Sequence, residues 1–153
     1  MEVRTTRFGV IDVAEDRVIT FAKGLLGFSG HRRFCLLEPA EDACFFWLQS
    51  LDEPALAFVV TDPSLFVREY TVPVRQEQLD DLAIGKLEDA QVFVIVNKVD
   101  DWLTGNLQGP LVINTLSRAG EQLVTADKKW TTRHRLIKAD SGDARPAPQA
   151  IPA

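Results

Sequence analysis

Hydrophobic residues along this chain fall in short runs that either alternate with polar residues or are apolar throughout. Runs of this kind, rich in β-branched and aromatic residues and bounded by glycine, proline or aspartate, are typical of β-strands. We therefore predict strands at residues 6–13, 18–21, 34–37, 45–49, 56–60, 92–96, 111–114 and 122–125, with an extended segment at residues 70–72. A polar segment joins the first two strands, which are expected to form a hairpin.

One short segment has the pattern of a helix. Leu79 and Leu82 lie three positions apart within residues 76–82, and Gly85 follows as a stop signal. Residues 24–30 contain three glycines and are predicted to be a loop. The many short strands and the one short helix indicate an all-β fold, a small, mostly antiparallel β-barrel-like domain.

Several predicted strands are apolar at consecutive positions, so hydrophobic side chains would point to both faces of the sheet. An antiparallel sheet with one face in water alternates instead. Two explanations are open at this point. Either the sheet curls into a barrel whose outside is covered by the helix or by loops, or an exposed apolar patch remains for a partner.

The length of 153 residues fits one domain, which we place at residues 1–138. Alanine and proline dominate afterwards, and residues 139–153 are predicted to be a flexible tail. No apolar run is long enough to cross a bilayer, and the N-terminal residues lack the apolar stretch of a secretion signal. We expect a cytoplasmic monomer without a membrane partner.

The formal net charge of −5 conceals an uneven distribution. Residues 38–101 carry four basic and fourteen acidic side chains, whereas residues 118–138 carry six basic and two acidic ones. An acidic chain is poorly suited to neutralising phosphates, so no direct nucleic-acid partner is expected. The acidic middle of the chain suits a basic protein partner instead.

Catalytic and metal-binding patterns are sparse. Cys35 and Cys44 are the only cysteines, and we expect reduced, buried thiols because their spacing with His31 matches no common zinc site. His31 and His134 each adjoin an arginine, in polar surroundings typical of a surface. The sequence therefore predicts no enzyme activity, no cofactor and no metal.

Residues 128–135 place Trp130 among lysines and arginines, a mixture that can hold a single-stranded nucleic acid. The other interpretation is that Trp130 anchors the core and the cations lie in the water beside it. A β-barrel that binds a small ligand or single-stranded RNA directly is therefore the alternative function.

Turn-forming residues cluster just before the strand at residues 111–114. Gly105 permits unusual dihedral angles, and Asn106 can bond its own backbone in a turn. Asn114, at the end of that strand, either caps it or faces a partner.

Across residues 5–137 the sequence resembles the FliW family of bacterial flagellar assembly factors. Leu26 stands where the family usually has proline, and the connection at residues 97–102 lacks the proline that the family often has there. The resemblance rests on the order and spacing of residues 6–9, 19–28, 34–37, 47–50, 56–66, 92–96 and 104–114, followed by Arg118, Gly120 and Gln122.

The resemblance implies a small β-barrel-like cytoplasmic protein that binds its partners and catalyses nothing. Members of the family bind flagellin monomers and, alternatively, CsrA, a translational regulator that represses flagellin mRNA. Flagellin that occupies the factor releases CsrA, so flagellin synthesis is coupled to secretion. The two partner surfaces either overlap or are coupled, and the sequence does not choose between these arrangements.

The resemblance, together with two acids and an aromatic residue in one connection, also indicates a partner-binding site. Trp102 either is exposed as a hot spot or folds back into the end of the barrel. The predicted partner-binding residues are Asp100, Asp101, Trp102, Thr104, Asn106, Leu107, Asn114, Arg118 and Gln122.

Overall fold

A computed structural model describes residues 1–41 and 43–139 of the chain. Within these residues lie eleven β-strands, one α-helix and three short 3-10 helices. The strands are β1 (Glu2–Thr5), β2 (Gly9–Asp12), β3 (Ile19–Phe21), β4 (Arg33–Leu37), β5 (Phe45–Ser50), β6 (Ala57–Thr61), β7 (Ala90–Val99), β8 (Trp102–Gly105), β9 (Leu111–Asn114), β10 (Ala119–Gln122) and β11 (His134–Lys138). The α-helix, α1, spans Gln76–Asp81, and the 3-10 helices span Glu15–Arg17, Pro63–Leu65 and Leu87–Asp89. Beyond Ala139, the predicted tail lies outside the described residues.

Seven strands close into a barrel. Their order is β7-β6-β5-β4-β3-β10-β9, and the ring closes because β9 also pairs with β7. Every neighbouring pair is antiparallel except β3 with β10. Strands β8 and β11 extend the sheet from β7, and β1 and β2 form a separate hairpin. The prediction of a mostly antiparallel β-barrel with one short helix is confirmed.

Side chains alternate between the inside and the outside of the barrel along strand β4. Phe34 and Leu36 pack in the interior with residues from β3, β5, β6, β7 and β9. Cys35 and Leu37 point outward and pack beneath the β1–β2 hairpin. Both faces of the strand are therefore buried, which accounts for the apolar residues at consecutive positions. This is the first of the two explanations given above, a barrel whose outside is covered.

The segment around helix α1 covers another part of the outside. Leu82 and Ile84, just after the helix, pack on Val112 of β9 and on Leu123. Residues 66–70 and Trp130 cover Val94 of β7 in the same way. None of the helices in the described residues is long and apolar enough to cross a membrane.

The predicted hairpin between residues 6–13 and 18–21 is wrong. Strand β1 pairs with β2 around a turn at residues 6–8, whereas β3 pairs with β4 and β10. The Thr5 hydroxyl stabilises this turn, since it accepts from the Phe8 N–H at 2.8 Å and donates to the Gly9 carbonyl at 2.8 Å. Gly9, with φ of 71°, lets the chain reverse there.

Other boundaries also differ from the prediction. Strands β8 and β11 lie in segments for which no strand was predicted, residues 70–72 form no strand, and β10 begins three residues before the predicted start at Gln122. Helix α1 ends before Gly85 because Ala83 already adopts a positive φ of 54°. In contrast, β4, β5, β6 and β9 lie within about one residue of their predicted positions, which is the usual variation in where a strand is said to end.

The two cysteines are free thiols in different environments. Cys35 is buried between the barrel and the β1–β2 hairpin, and burial raises the pKa of its thiol to about 11. Cys44 is exposed, so the expectation that both thiols are buried is wrong for Cys44.

This difference predicts selective alkylation. At pH 8, well below its pKa of about 11, the Cys35 thiol is almost wholly protonated and also covered, whereas Cys44 is exposed to the reagent. Iodoacetamide should modify one thiol per native chain and two after denaturation, as counted by intact mass. Equal rates at both cysteines in the native protein would contradict this packing.

Gly120 of strand β10 packs directly against the ring of Phe21 in the core. A Cβ atom at this position would lie 2.6 Å from Cε1 of Phe21 and 2.9 Å from its Cδ1. Because Phe21 is fully buried, we expect Gly120→Ala to lower the free energy of unfolding by about 1–3 kcal/mol in urea denaturation. Gly30→Ala, where a Cβ meets no atom within 4 Å, is the control and should change stability far less.

Candidate functional site

The two acids predicted to bind partners form the tip of the β7–β8 hairpin. Val99 pairs with Trp102, which leaves Asp100 and Asp101 as the two-residue connection. Asp100 has a φ of 55°, which aspartate tolerates better than most residues. Both side chains are exposed. The hairpin therefore presents two adjacent carboxylates to solvent.

Trp102 is half-buried at the base of this tip. The Arg135 guanidinium lies 4.9 Å from the centroid of its ring, a cation–π contact that covers one face of the indole. Lys138 pairs with Trp102 across the β8–β11 ladder, and the neighbouring Ile137 is 45% exposed. Trp102 is thus neither fully exposed nor folded into the barrel end. We call Asp100, Asp101, Trp102 and Arg135 the hairpin tip.

Of the next three predicted residues, Thr104 and Leu107 are buried and Asn106 is half-buried. Thr104 is buried, and its hydroxyl donates to the Asn97 carbonyl at 3.2 Å. Asn106 Oδ1 accepts from the Gly109 N–H at 2.9 Å, which is the turn that the sequence indicated. Leu107 is fully buried beside Trp130.

Asn114 connects β9 to the end of helix α1. Its Nδ2 donates to the carbonyls of Leu82 and Ala83 at 2.8 and 3.2 Å. Its Oδ1 accepts from the N–H groups of Leu116 and Ser117 at 2.8 and 3.1 Å. The side chain is 3% exposed, so it holds two loops together and is not presented to a partner.

Gln122 spans two loops at the opposite end of the β9–β10 strand pair from Asn114. Its Oε1 accepts from the Leu26 N–H at 2.8 Å, and its Nε2 donates to the Gly109 carbonyl at 2.9 Å. Both ends of the amide are therefore occupied by backbone groups. Gln122 positions the glycine-rich loop at residues 24–30, where Leu26 is 61% exposed.

Arg118 lies apart from the hairpin tip, in the β9–β10 turn. Its backbone has a positive φ of 66°, and its guanidinium is near Arg17. Burial and the positive charge of Arg17 lower the pKa of Arg118, although Asp16 opposes this. The nine predicted residues therefore divide into an exposed hairpin tip, a set of internal residues, and one separate arginine.

The basic segment at residues 128–135 does not present a stacking surface. Trp130 is only 4% exposed, and its ring packs edge-on against Tyr70 at 5.0 Å and lies 5.7 Å from His134. The interpretation of Trp130 as a core anchor is confirmed. The single-stranded RNA alternative therefore loses the stacking residue on which it depended.

His31 and His134 are both half-buried. Within the described residues, no group of three or more histidine, cysteine or acidic side chains is placed to hold a metal ion.

The acidic middle of the chain does not form one surface. Helix α1 and the 3-10 helix Leu87–Asp89 lie before the start of β7, whereas Asp100 and Asp101 follow its end. At about 3.3 Å per residue, the ten residues of β7 separate these groups by roughly 30 Å.

A further surface was missed in the sequence. Leu87 and Leu116 are 75% and 76% exposed, and they lie on adjacent loops because the Thr115 N–H donates to the Asp89 carbonyl at 2.8 Å. Leu87 is flanked by Lys86 and Glu88, so an isolated leucine within a charged segment was the available signal.

A comparison with family sequence models decides the relationship. The family described as "FliW protein" matches residues 2–136, nearly all of the described chain. The chain belongs to the FliW family. The resemblance stated from the sequence is confirmed.

Similar proteins of the family are named flagellar assembly factor FliW. That of Leptospira interrogans is 34% identical over 142 residues, covering 91% of this chain and 95% of its own. That of Bdellovibrio bacteriovorus is 37% identical over 139 residues, covering 90% of this chain and 79% of its own. A crystal structure of the flagellar assembly factor FliW superposes with a TM-score of 0.81 at 34% identity, covering 90% of this chain and 97% of that one.

Substitution of Asn114 tests whether its buried side-chain amide stabilises the fold. Asn114→Ala removes four hydrogen bonds and leaves backbone groups of two loops without partners, so we expect a loss of about 2 kcal/mol or more in the free energy of unfolding. Asn97→Ala, at an exposed position of β7, is the matched control and should stay within about 0.5 kcal/mol of the parent. Equal stability of the two variants in urea denaturation would contradict the conclusion that Asn114 holds the two loops together.

Proposed function

We propose that this chain is a non-enzymatic, cytoplasmic flagellar assembly factor that binds flagellin and sequesters the translational regulator CsrA. Membership of the FliW family supports a role in flagellar assembly. The observation that carries the proposal further is the hairpin tip, where two exposed carboxylates adjoin a half-buried tryptophan. Such a combination suits protein recognition, because aromatic anchors supply affinity and surrounding charges supply steering.

Strand pairing also holds the hairpin tip in place. Strand β8 pairs with β7 on one side and β11 on the other, so Trp102 is held within a three-stranded sheet. A rigid recognition element loses little conformational entropy on binding, and more of the contact energy then contributes to affinity.

CsrA is the partner whose chemistry fits the carboxylates, because an RNA-binding protein carries basic surface. Asp100 and Asp101 form no salt bridge within the described residues, so their charge is available to a basic group. Flagellin suits apolar surface such as Leu87 and Leu116, because a helical or terminal segment of a partner docks through its apolar face. Flagellin and CsrA exclude each other if their surfaces overlap or are coupled through the barrel.

The charge of the hairpin tip predicts a weaker and less salt-sensitive CsrA complex on neutralisation. Asp101→Asn removes one exposed carboxylate and retains its shape, and should weaken binding to purified CsrA about two- to fivefold at low salt. Glu69→Gln, another exposed acid, is the control and should leave affinity unchanged. Isothermal titration calorimetry at two salt concentrations measures both effects, and an unchanged affinity for Asp101→Asn would remove this carboxylate from the interface.

Trp102 tests the apolar part of the same surface. Trp102→Ala should weaken the complex with CsrA at least about tenfold, because it removes the largest side chain of the hairpin tip. Trp102→Phe retains an aromatic face for Arg135 and should recover part of the affinity. Failure of the folded parent chain to bind either CsrA or flagellin at micromolar concentrations would refute the proposed function itself.

A further inference from the structure

The barrel wall has a gap beside β3. Strand β3 pairs with β4 only at two positions, Ile19 with Phe34 and Thr20 with Arg33. Continuing this register would place Arg17 opposite Leu36. The chain instead leaves the ladder there, since residues 15–17 form a 3-10 helix in which the Arg17 N–H donates to the Ala14 carbonyl.

This gap contains a cavity of about 340 Å³, lined by Arg17, Leu36, Glu38 and Arg118. The volume is far larger than the roughly 30 Å³ that one water occupies in the liquid. Leu36 also packs against the interior cluster of the barrel, so it gives the cavity an apolar wall. The remaining lining side chains are charged.

Arg118 is fixed in place by its backbone. Its N–H donates to the Asn114 carbonyl at 2.8 Å, and its carbonyl accepts from the Thr20 N–H at 2.9 Å. The positive φ of 66° at this residue is thus held between strands β9 and β3, at a cost that a non-glycine residue normally avoids. The Arg118 side chain is one of those that line the gap.

The two arginines lack ion-pair partners within the described residues, and one Arg118 donor also lacks a hydrogen-bond partner. Arg118 Nη2 lies 3.5 Å from the Arg17 carbonyl oxygen, and Arg118 Nε is buried without a hydrogen-bond partner. Neither guanidinium is within 4.0 Å of a carboxylate oxygen in the described residues, Glu38 included. Two like charges and an unpartnered donor around a cavity are stabilised when an anion enters it.

We propose that this cavity binds a carboxylate, with the guanidiniums of Arg17 and Arg118 on its oxygens and its adjoining apolar group against Leu36. Arginine presents a planar fork of N–H donors that matches the two oxygens of a carboxylate. Asp16 acts on Arg118 alongside Arg17 and Glu38, so the two arginines are opposed by two acids, and the site accommodates the single charge of a carboxylate better than the double charge of a phosphate. The site lies in the barrel wall and does not depend on the partners proposed above.

The carboxylate comes either from a polypeptide C-terminus or from an acidic side chain, and both sources share this chemistry. Three probes distinguish them: acetyl-alanyl-leucine with a free carboxylate, the same peptide as its amide, and acetyl-alanyl-glutamate amide. Binding is followed by ¹H–¹⁵N NMR of the backbone and arginine Nε–H signals at constant ionic strength. We expect the free-acid peptide to shift the Arg118 signals in a saturable manner and its amide to leave them unchanged.

The glutamate peptide reports the source. Saturable shifts with it as well indicate a site for any carboxylate, whereas shifts with the leucine acid alone indicate a chain terminus. No saturable shift at Arg17 or Arg118 with either acid would overturn the proposal. Sulfate binding as tightly as the free-acid peptide would overturn the carboxylate assignment.

Matched variants locate the site. Arg118→Gln and Arg17→Gln should each weaken binding of the free-acid peptide at least about fivefold, whereas Arg68→Gln, at an exposed position distant in sequence from the cavity, should not. Arg17 is exposed on a 3-10 turn, so Arg17→Gln keeps the test valid if Arg118→Gln fails to fold. Unaltered affinity in a folded Arg17→Gln variant would contradict the two-arginine arrangement.

Discussion

Pairing along strand β7 is the constraint on which the rest of the structure depends. Its first four residues pair with β9, residues 94–96 pair with β6, and its last four pair with β8. One strand therefore closes the barrel and also carries the hairpin tip outside it. Closure removes the unpaired edges that would otherwise template aggregation, and it fixes the strand register around the ring. Its apolar, β-branched centre makes this strand well suited to burial on both sides.

Covering both faces of a small barrel determines how the polar residues are used. Cys35 and Leu37 of β4 are covered by the β1–β2 hairpin, and Val112 of β9 is covered by the segment after α1. These covering segments leave backbone groups that need partners. The amide of Asn114 supplies them for the segment after α1, and the amide of Gln122 does the same for the loops that contain Leu26 and Gly109.

Much of the fold could be predicted from the sequence because apolar runs mark the barrel strands directly. The turn chemistry was harder to interpret. Asp100 adopts a positive φ without the Asn-Gly or Asp-Gly signal of a tight hairpin, so β8 was not predicted. The turn that the Thr5 hydroxyl stabilises was also not recognised, so the first hairpin was predicted between the wrong segments. For the site, Asn106 and Asn114 have residue types common to turns and to interfaces, and only the three-dimensional contacts distinguish these roles.

The linear charge pattern is equally ambiguous until the chain is folded. Its acidic middle is divided by the length of β7, and the hairpin tip that carries Asp100 and Asp101 also receives Arg135 from β11. The net charge of a segment therefore says little about the field at one surface. Local groupings are what a partner meets: an acidic tip beside an indole, and two arginines around a gap. A rigid scaffold favours binding at such groupings, since charged side chains that are already held in place reorganise little when a ligand binds.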